Sequence, residues 1–280
     1  MSCSDLAAAA GIPLAGTASR ASRWLLLEQR LRWGHDALED SGLPPAVAAH
    51  LAGFPGRVLL LRRSGRPQGP LAAFSATTTE AGGELRRMEL ERVEDLLEVD
   101  PGVDGSPVDG PLVLVCTHAR RDACCATYGV PAYSALRPHV SAGLLWRSSH
   151  QGGHRFAANV LALPAGIQLG RVEPPAAAEV ATLLGDGRIP LRFYRGRSLH
   201  APSVQAADAA VRVALGADRL EDIRLVEHDG NRVRLDTPRG VVEVRVAERA
   251  GPALPPSCGK DPGEATILEA TVQGFGGGTV

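Results

Sequence analysis

The feature that most constrains this chain is a set of two cysteines and two histidines with the spacing Cys116-x8-Cys125-x24-His150-x3-His154. Thiolates and imidazoles are the side chains that soft and borderline transition metals select. The same four groups suit either a tetrahedral zinc ion or an iron–sulfur cluster in which histidines replace two cysteines on one iron. The pattern therefore predicts a fold in which these four side chains reach one centre.

The two cysteines are predicted at the end of a strand and at the start of a helix. A short apolar run that ends at Cys116 predicts a buried strand, and a ligand at a strand end is held in place by its sheet. A helix is predicted to begin at Cys124 and Cys125, although Gly129 and Pro131 interrupt its pattern.

The two histidines follow a second predicted strand. The short run over residues 144–148 predicts a strand that leads the chain to His150. Gly152 and Gly153 allow the backbone to turn tightly enough for His150 and His154 to aim at one centre. We therefore expect the four ligands to converge from two strand ends and two loops.

The separation of the thiolates bears on the choice of metal. Zinc fingers and knuckles usually place their thiolates two to four residues apart, because a small ion needs its ligands on one tight turn. Eight residues separate Cys116 from Cys125, and a loop that wraps a wider two-iron cluster needs that additional chain. The spacing favours the cluster, and a structural zinc site in an interaction domain is the alternative.

Two longer stretches carry a resemblance to a known family. The first is Val-Cys116-Thr-His-Ala-Arg-Arg-Asp-Ala-Cys-Cys125-Ala-x-x-Gly129, and the second is Trp-Arg-Ser-Ser-His150-Gln-Gly-Gly-His154-Arg-Phe-Ala-Ala-Asn-Val-Leu, followed by Leu-Pro-x-Gly-x-x-x-Gly-Arg171. Together they resemble the sucrase/ferredoxin-like family, strongly over residues 111–171 and loosely in the flanks. Members of this family are similar to thioredoxin-like ferredoxins, and its fungal representatives carry a bis-histidinyl [2Fe-2S] cluster.

The resemblance implies a role for each of the four residues. Cys116 and Cys125 would be thiolate ligands, and His150 and His154 would be imidazole ligands, of a [2Fe-2S] cluster in an electron-transfer protein rather than a hydrolase. The family places its second thiolate just before an Ala-x-x-Gly segment, which here selects Cys125, and Cys124 is the alternative.

A ligand set of this kind predicts a redox property as well. Two neutral imidazoles in place of two thiolates make the oxidised cluster neutral rather than doubly negative, so that an electron is added more readily. The reduction potential is therefore predicted to lie above that of a plant-type ferredoxin, and electron uptake is predicted to be coupled to proton uptake at an imidazole.

The remaining cysteines are predicted to be bystanders. Adjacent cysteines do not easily bind one metal through both sulfurs, so one of Cys124 and Cys125 should be free of the site. Cys3 and Cys258 lie far from the set in sequence and are expected to be accessible or half-buried free thiols. A thiol-redox enzyme that uses Cys124 and Cys125 is disfavoured, because its signature Cys-x-x-Cys is missing. His118, two residues beyond a ligand, is a candidate for hydrogen bonding behind the metal site.

The chain is predicted to have three parts. Residues 1–107 form an N-terminal α+β region, residues 108–200 a thioredoxin-like [2Fe-2S] module, and residues 201–280 a C-terminal α+β extension with a β-meander. The first boundary lies in the turn-rich stretch 100–110. The predicted fold class is mixed, α+β and α/β. Strands are predicted at 23–28, 57–62, 71–75, 84–90, 223–227, 232–236 and 241–246, a hairpin at 159–172, and helices near 44–51, 174–184 and 203–215.

The predicted module is strongly basic. Between residues 111 and 171 there are six arginines and a single acid, Asp122, so this segment carries +5 in a chain whose net charge is -1. An electropositive face would favour docking of an acidic redox partner or stabilise the reduced cluster. Alternatively, acids from the flanking regions fold back and neutralise it.

Composition excludes several other classes. A net charge of -1 disfavours a nucleic-acid-binding protein, which normally has a marked basic excess. Apolar runs stay far below the ~20 residues of a membrane helix, and no basic segment precedes an apolar core near Met1, so we expect a cytoplasmic protein that does not enter a membrane. An odd number of cysteines, five, fits free thiols and metal ligation better than a disulfide framework.

Overall fold

The apolar runs of the first part of the chain form the four predicted strands and the predicted helix in a computed structural model that describes residues 1–65 and 68–275. A fifth strand of two exposed residues, Ser106–Pro107, was not predicted. A further helix at the start was not predicted, although a capping box between Ser2 and Asp5 is visible in the sequence. The bounds are α1 (Cys3–Ala9), β1 (Arg23–Glu28), α2 (Pro45–Ala52), β2 (Arg57–Arg62), β3 (Leu71–Thr79), β4 (Gly82–Leu90) and β5 (Ser106–Pro107).

The middle of the chain follows the predicted order of elements. The predicted strand ends at Cys116, the predicted hairpin turns near Gly166, and a short 3-10 turn leads into the helix that was predicted from residue 174. One strand, the last, was not predicted. The bounds are β6 (Leu112–Cys116), α3 (Ala123–Leu136), β7 (Leu145–Ser148), β8 (Val160–Leu163), β9 (Ile167–Leu169), α4 (Ala177–Gly185) and β10 (Tyr194–Arg197).

The last part of the chain is a helix packed on an antiparallel sheet. The three predicted strands are present, the third is longer than predicted, and a fourth follows it. The bounds are α5 (Pro202–Leu215), β11 (Arg224–Asp229), β12 (Arg232–Thr237), β13 (Gly240–Leu254) and β14 (Gly263–Phe275). Residues 276–280, the end of the predicted extension, lie outside the described residues.

Two sheets organise these strands into a mixed α/β fold. The larger has ten strands in the order β10-β9-β8-β6-β7-β2-β1-β3-β4-β5, and the smaller has the order β11-β12-β13-β14. β7 pairs with β2, so that the large sheet continues across the boundary predicted near residue 107. No helix within residues 1–65 and 68–275 is long and apolar enough to cross a membrane.

The strand that ends at Cys116 is buried on both faces. Val113 and Val115 pack in the core cluster that also contains residues of α3 and α4, whereas Leu112 and Leu114 pack on the opposite face with Trp146. Successive strand residues point to opposite faces, so a strand covered on both sides needs a continuous apolar run. This double cover fixes the position of the chain at Cys116.

The helix α3 continues through both residues that were expected to interrupt it. Gly129 and Pro131 lie inside it, and it ends at Leu136. The expectation of an interruption was therefore wrong. Pro131 is exposed on the helix surface, and Gly129 has a packing role at the candidate site.

Candidate metal centre

Strand pairing brings Cys116 and His150 to the same edge of the sheet. β6 and β7 are parallel neighbours with Cys116 opposite Ser148, and His150 follows two residues later. The ligand atoms of Cys116, Cys125 and His150 all lie within 4.8 Å of one another. The Cys125 Sγ atom is 3.8 Å from the Nδ1 atom of His150. Three of the four predicted ligands thus meet at one point, with both thiols fully buried.

The start of α3 sets the position of Cys125. Asp122 caps the helix, since its Oδ1 atom accepts a hydrogen bond from the Cys124 N–H at 2.8 Å. One turn later, Gly129 lies against the end of β6, where an added Cβ atom would be 2.0 Å from the Cys116 carbonyl oxygen. Only glycine allows the helix to approach the strand this closely.

We expect Gly129→Ala to destabilise the protein by about 1–3 kcal/mol and to weaken metal retention, because α3 must move away from β6. Gly185→Ala is the matched control, since Gly185 is also helical and has no other atom within 4 Å of an added Cβ. That change should be neutral or stabilise by up to ~1 kcal/mol. Denaturant unfolding measures both, and equal effects at the two positions would contradict the close-packing role of Gly129.

His154 lies beside the three converging ligands. Its ring stacks on that of His150 with centroids 5.2 Å apart. Its Nε2 atom hydrogen-bonds the Pro256 carbonyl oxygen at 2.5 Å, and its buried Nδ1 atom has no hydrogen-bond partner among the described residues. A metal-ligating histidine commonly donates its other ring N–H to a carbonyl in this way. The orphaned nitrogen therefore fits a ligand role for His154.

The turn that carries the histidines depends on two glycines, as predicted. Gly152 and Gly153 have φ values of +92° and +71°, a region that side chains disfavour. An added Cβ on Gly153 would also be 2.3 Å from the guanidinium of Arg195.

His118 holds the backbone of a predicted ligand. Its Nδ1 atom accepts a hydrogen bond from the His150 N–H at 3.3 Å, and its Nε2 atom contacts the Gly34 carbonyl oxygen at 2.7 Å. Both contacts are satisfied together when the ring is neutral with its proton on Nε2. Burial accordingly lowers the pKa of His118. This placement fits the predicted position behind the metal site.

The pKa values of the two buried thiols are shifted in opposite directions. The hydrogen bond from Cys125 lowers the pKa of Cys116 against the opposing effect of burial, and His150 lowers it further. The same hydrogen bond, together with burial, raises the pKa of Cys125. Cys116 is therefore the more readily deprotonated of the two, and a metal that binds both sulfurs needs both as thiolates.

Two arginines that were not predicted as functional residues, half-buried Arg57 and buried Arg195, lie beside the site. Arg57 donates to the His150 carbonyl oxygen at 3.3 Å, and Arg195 donates to the Asn159 side chain at 2.8 Å and the Gly152 carbonyl oxygen at 3.2 Å. Neither forms an ion pair with a described carboxylate. Burial, together with the charge of Arg57, lowers the pKa of Arg195 to about 9. Their positive field favours negative charge at the thiolates.

The six arginines of the basic segment also lack carboxylate partners. Within the described ranges, none of them lies within 4.0 Å of an Asp or Glu oxygen. The flanking regions thus do not neutralise this segment through direct ion pairs. The arginines concerned are Arg120, Arg121, Arg137, Arg147, Arg155 and Arg171.

The other three cysteines lie together; Cys258 is a half-buried free thiol as expected, whereas Cys3, expected to be accessible or half-buried, is buried. Cys124 faces away from Cys116, and its Sγ atom lies 3.4 Å from that of Cys3 and 3.2 Å from that of Cys258. This contact could not be predicted from the sequence, because the three cysteines are far apart in it. The contact arises because α1 and the β13–β14 connection both pack against the start of α3. Cys125 alone of the adjacent pair faces Cys116.

Comparison with known proteins identifies one relationship. A family model described as sucrase/ferredoxin-like matches residues 14–196, more of the chain than the strongly resembling stretch. The match covers the N-terminal region from residue 14 onward and the candidate site, and it ends within β10, before α5 and the smaller sheet. No curated protein and no solved structure matches the chain.

Proposed function

We propose that this chain, which belongs to the sucrase/ferredoxin-like family, is an electron-transfer protein that binds a [2Fe-2S] cluster through Cys116, Cys125, His150 and His154. The observation that carries the proposal is the convergence of three of these ligands at one sheet edge, with the orphaned Nδ1 atom of His154 beside them. Such a cluster, when bound, supplies reversible one-electron chemistry.

The arrangement of donors supports a two-iron cluster over a single ion. Cys116 and Cys125 lie deep between β6 and α3, whereas His150 and His154 stack at the half-buried outer side. This segregation suits a cluster with one iron on thiolates and the other on imidazoles. The competing observation is that three donor atoms within 4.8 Å would also fit one tetrahedral zinc ion.

The topology supports a thioredoxin-like module around this site. β6, α3 and β7 form a parallel βαβ unit, β8 pairs antiparallel with β6, and the β8–β9 hairpin leads into α4. Their order in the sheet is β9-β8-β6-β7. A βαβ unit followed by a hairpin and a helix is the arrangement such a module requires.

The protein side chains tune the charge and access of the site. Half-buried Arg57 and buried Arg195 would stabilise added negative charge, which favours reduction. A cavity of about 250 Å³ lined by His35, His118 and His150 opens onto the imidazole side. Electrons and protons would enter there, and the unpaired arginines suit an acidic docking face on a redox partner.

Iron and sulfide analysis of the purified protein, with anaerobic absorption and EPR spectra, tests this function. We expect a brown protein with about two iron and two sulfide ions per chain and an EPR signal on one-electron reduction. A colourless protein that takes up zinc at these residues, and no iron or sulfide after anaerobic reconstitution, would establish the alternative of a structural zinc domain.

A further inference from the structure

Three cysteines outside the proposed cluster site meet at a second point. The Sγ atoms are separated by 3.4 Å between Cys3 and Cys124, 3.2 Å between Cys124 and Cys258, and 3.6 Å between Cys258 and Cys3. They belong to α1, α3 and the β13–β14 connection. Cys3 and Cys124 are buried and Cys258 is half-buried. Three mutually touching sulfur atoms from distant segments need a chemical explanation.

A buried carboxylate completes this group. The Asp122 Oδ2 atom lies 4.0 Å from the Cys3 sulfur, and the four donor atoms are all within 4.8 Å of one another. The Ser257 hydroxyl and the Cys258 N–H donate to this oxygen at 2.8 and 2.9 Å. Carboxylates that bind metals are commonly held by such hydrogen bonds.

We infer that Cys3, Cys124, Cys258 and Asp122 bind a second metal ion, a divalent cation of the zinc class, in a closed tetrahedral site. With a zinc–sulfur distance of about 2.3 Å, tetrahedral geometry places the sulfur atoms ~3.8 Å apart. The observed separations of 3.2, 3.4 and 3.6 Å need to open by only a few tenths of an ångström.

The ligand set selects this class of ion. Thiolates are soft ligands that prefer zinc to hard cations such as magnesium or calcium. Each thiol gives up its proton to water as the ion binds, with no change of oxidation state. A disulfide would use two of the three sulfurs and leave the third without a partner.

The adjacent cysteines then serve two different centres. Cys124 and Cys125 point in directions about 100° apart on α3, because a helix has 3.6 residues per turn. Cys124 faces Cys3 and Cys258, whereas Cys125 faces Cys116. Neither cysteine is then a bystander, because Cys124 would bind the second metal ion and Cys125 the proposed cluster.

The ion would link the smaller, C-terminal sheet to the part of the chain that matches the family model, residues 14–196. Cys3 and Cys258 lie outside residues 14–196, whereas Cys124 lies within them. Pro256, in the same connection as Cys258, accepts the hydrogen bond from His154. A metal bound here would therefore hold the β13–β14 connection over His154.

Zinc binding by the full-length protein tests this site. The protein, purified under reducing conditions, incubated with zinc and desalted, should retain about one zinc ion per chain that does not depend on Cys125. Cys258→Ser and Cys3→Ser should each lower zinc affinity more than roughly 100-fold, because even loss of a supporting hydrogen bond costs 10–100-fold. Cys258 is half-buried in a connection, so its serine variant carries the smaller risk of misfolding, which circular dichroism checks.

Cys125→Ser is the matched control, since it removes the neighbouring thiol that faces the other centre. Zinc retained by this variant and lost by both others supports the site. Zinc lost from Cys125→Ser but kept by the other two variants, no zinc binding by the wild type, or a native disulfide among the three cysteines in a mass spectrum would each overturn it. Iron and sulfide contents report separately on the proposed cluster, so the two proposals can fail independently.

Discussion

Cys125→Ser is expected to abolish the visible absorption of the [2Fe-2S] cluster, and Cys124→Ser is expected to retain it. The Cys125 sulfur lies within 4.8 Å of the Cys116 sulfur and the His150 ring, whereas the Cys124 sulfur contacts those of Cys3 and Cys258. A serine hydroxyl at a thiolate position is a much weaker ligand for iron, so cluster content should fall to near zero. Absorption spectra and iron-to-protein ratios of the anaerobically purified variants measure the cluster content.

Cys258→Ser separates ligand loss from general destabilisation in this experiment. It perturbs the same sulfur group as Cys124→Ser without touching α3, so it should also retain the cluster. The reverse pattern, with the cluster lost in Cys124→Ser and kept in Cys125→Ser, would show that the ligand assignment is wrong.

The strands around the site could be predicted because their apolar runs have sharp polar limits. β1 and β2 each begin at an arginine and end at a charged residue, and their bounds agree with the prediction. β6 ends at Cys116 for the same reason, because the segment that follows is polar. Local sequence sufficed for these three strands, whereas β10, which is buried along its whole length but contains two arginines and a glycine, was not predicted.

Where the extent of an element was predicted wrongly, packing against distant residues sets that extent. Gly129 and Pro131 weaken a helix in isolation, yet the contact of Gly129 with the end of β6 requires the helix to continue there. The third strand of the meander was predicted to stop at residue 246, before Gly251 and Pro252. It continues through them, because a bulge between Ala250 and Ala253 accommodates both residues.

The site was predictable in part, because the sharp limits of β6 and β7 place two of its residues at strand ends. Cys116 is the last residue of β6 and His150 lies two residues after β7, so their meeting could be anticipated once the two strands were taken as neighbours. The contacts of Arg195 with Gly152 and Asn159 join residues 43 and 36 positions apart, and the contact of Cys3 with Cys258 joins residues 255 positions apart. No local pattern encodes such contacts.

The reduction potential is expected to fall by about 59 mV per pH unit over part of the neutral to alkaline range. This is the slope for one proton taken up with each electron. Reduction lowers the charge on the iron, so a bound imidazole then holds its outer ring proton more tightly. The proton is accessible, since His154 is half-buried and its Nε2 atom contacts a backbone carbonyl in a surface connection.

His154→Cys is expected to keep a cluster, to lower its potential and to weaken this slope, because the added thiolate is negative and carries no ring proton. His139→Gln is the matched control. His139 is exposed beyond the far end of α3, about 20 Å along the helix from Cys125, so its replacement should leave the slope unchanged. Protein-film voltammetry of the three proteins across this pH range is the measurement. A wild-type potential that stays flat throughout would mean that no imidazole exchanges a proton on reduction, and proton-coupled electron transfer would then have to be abandoned for this protein.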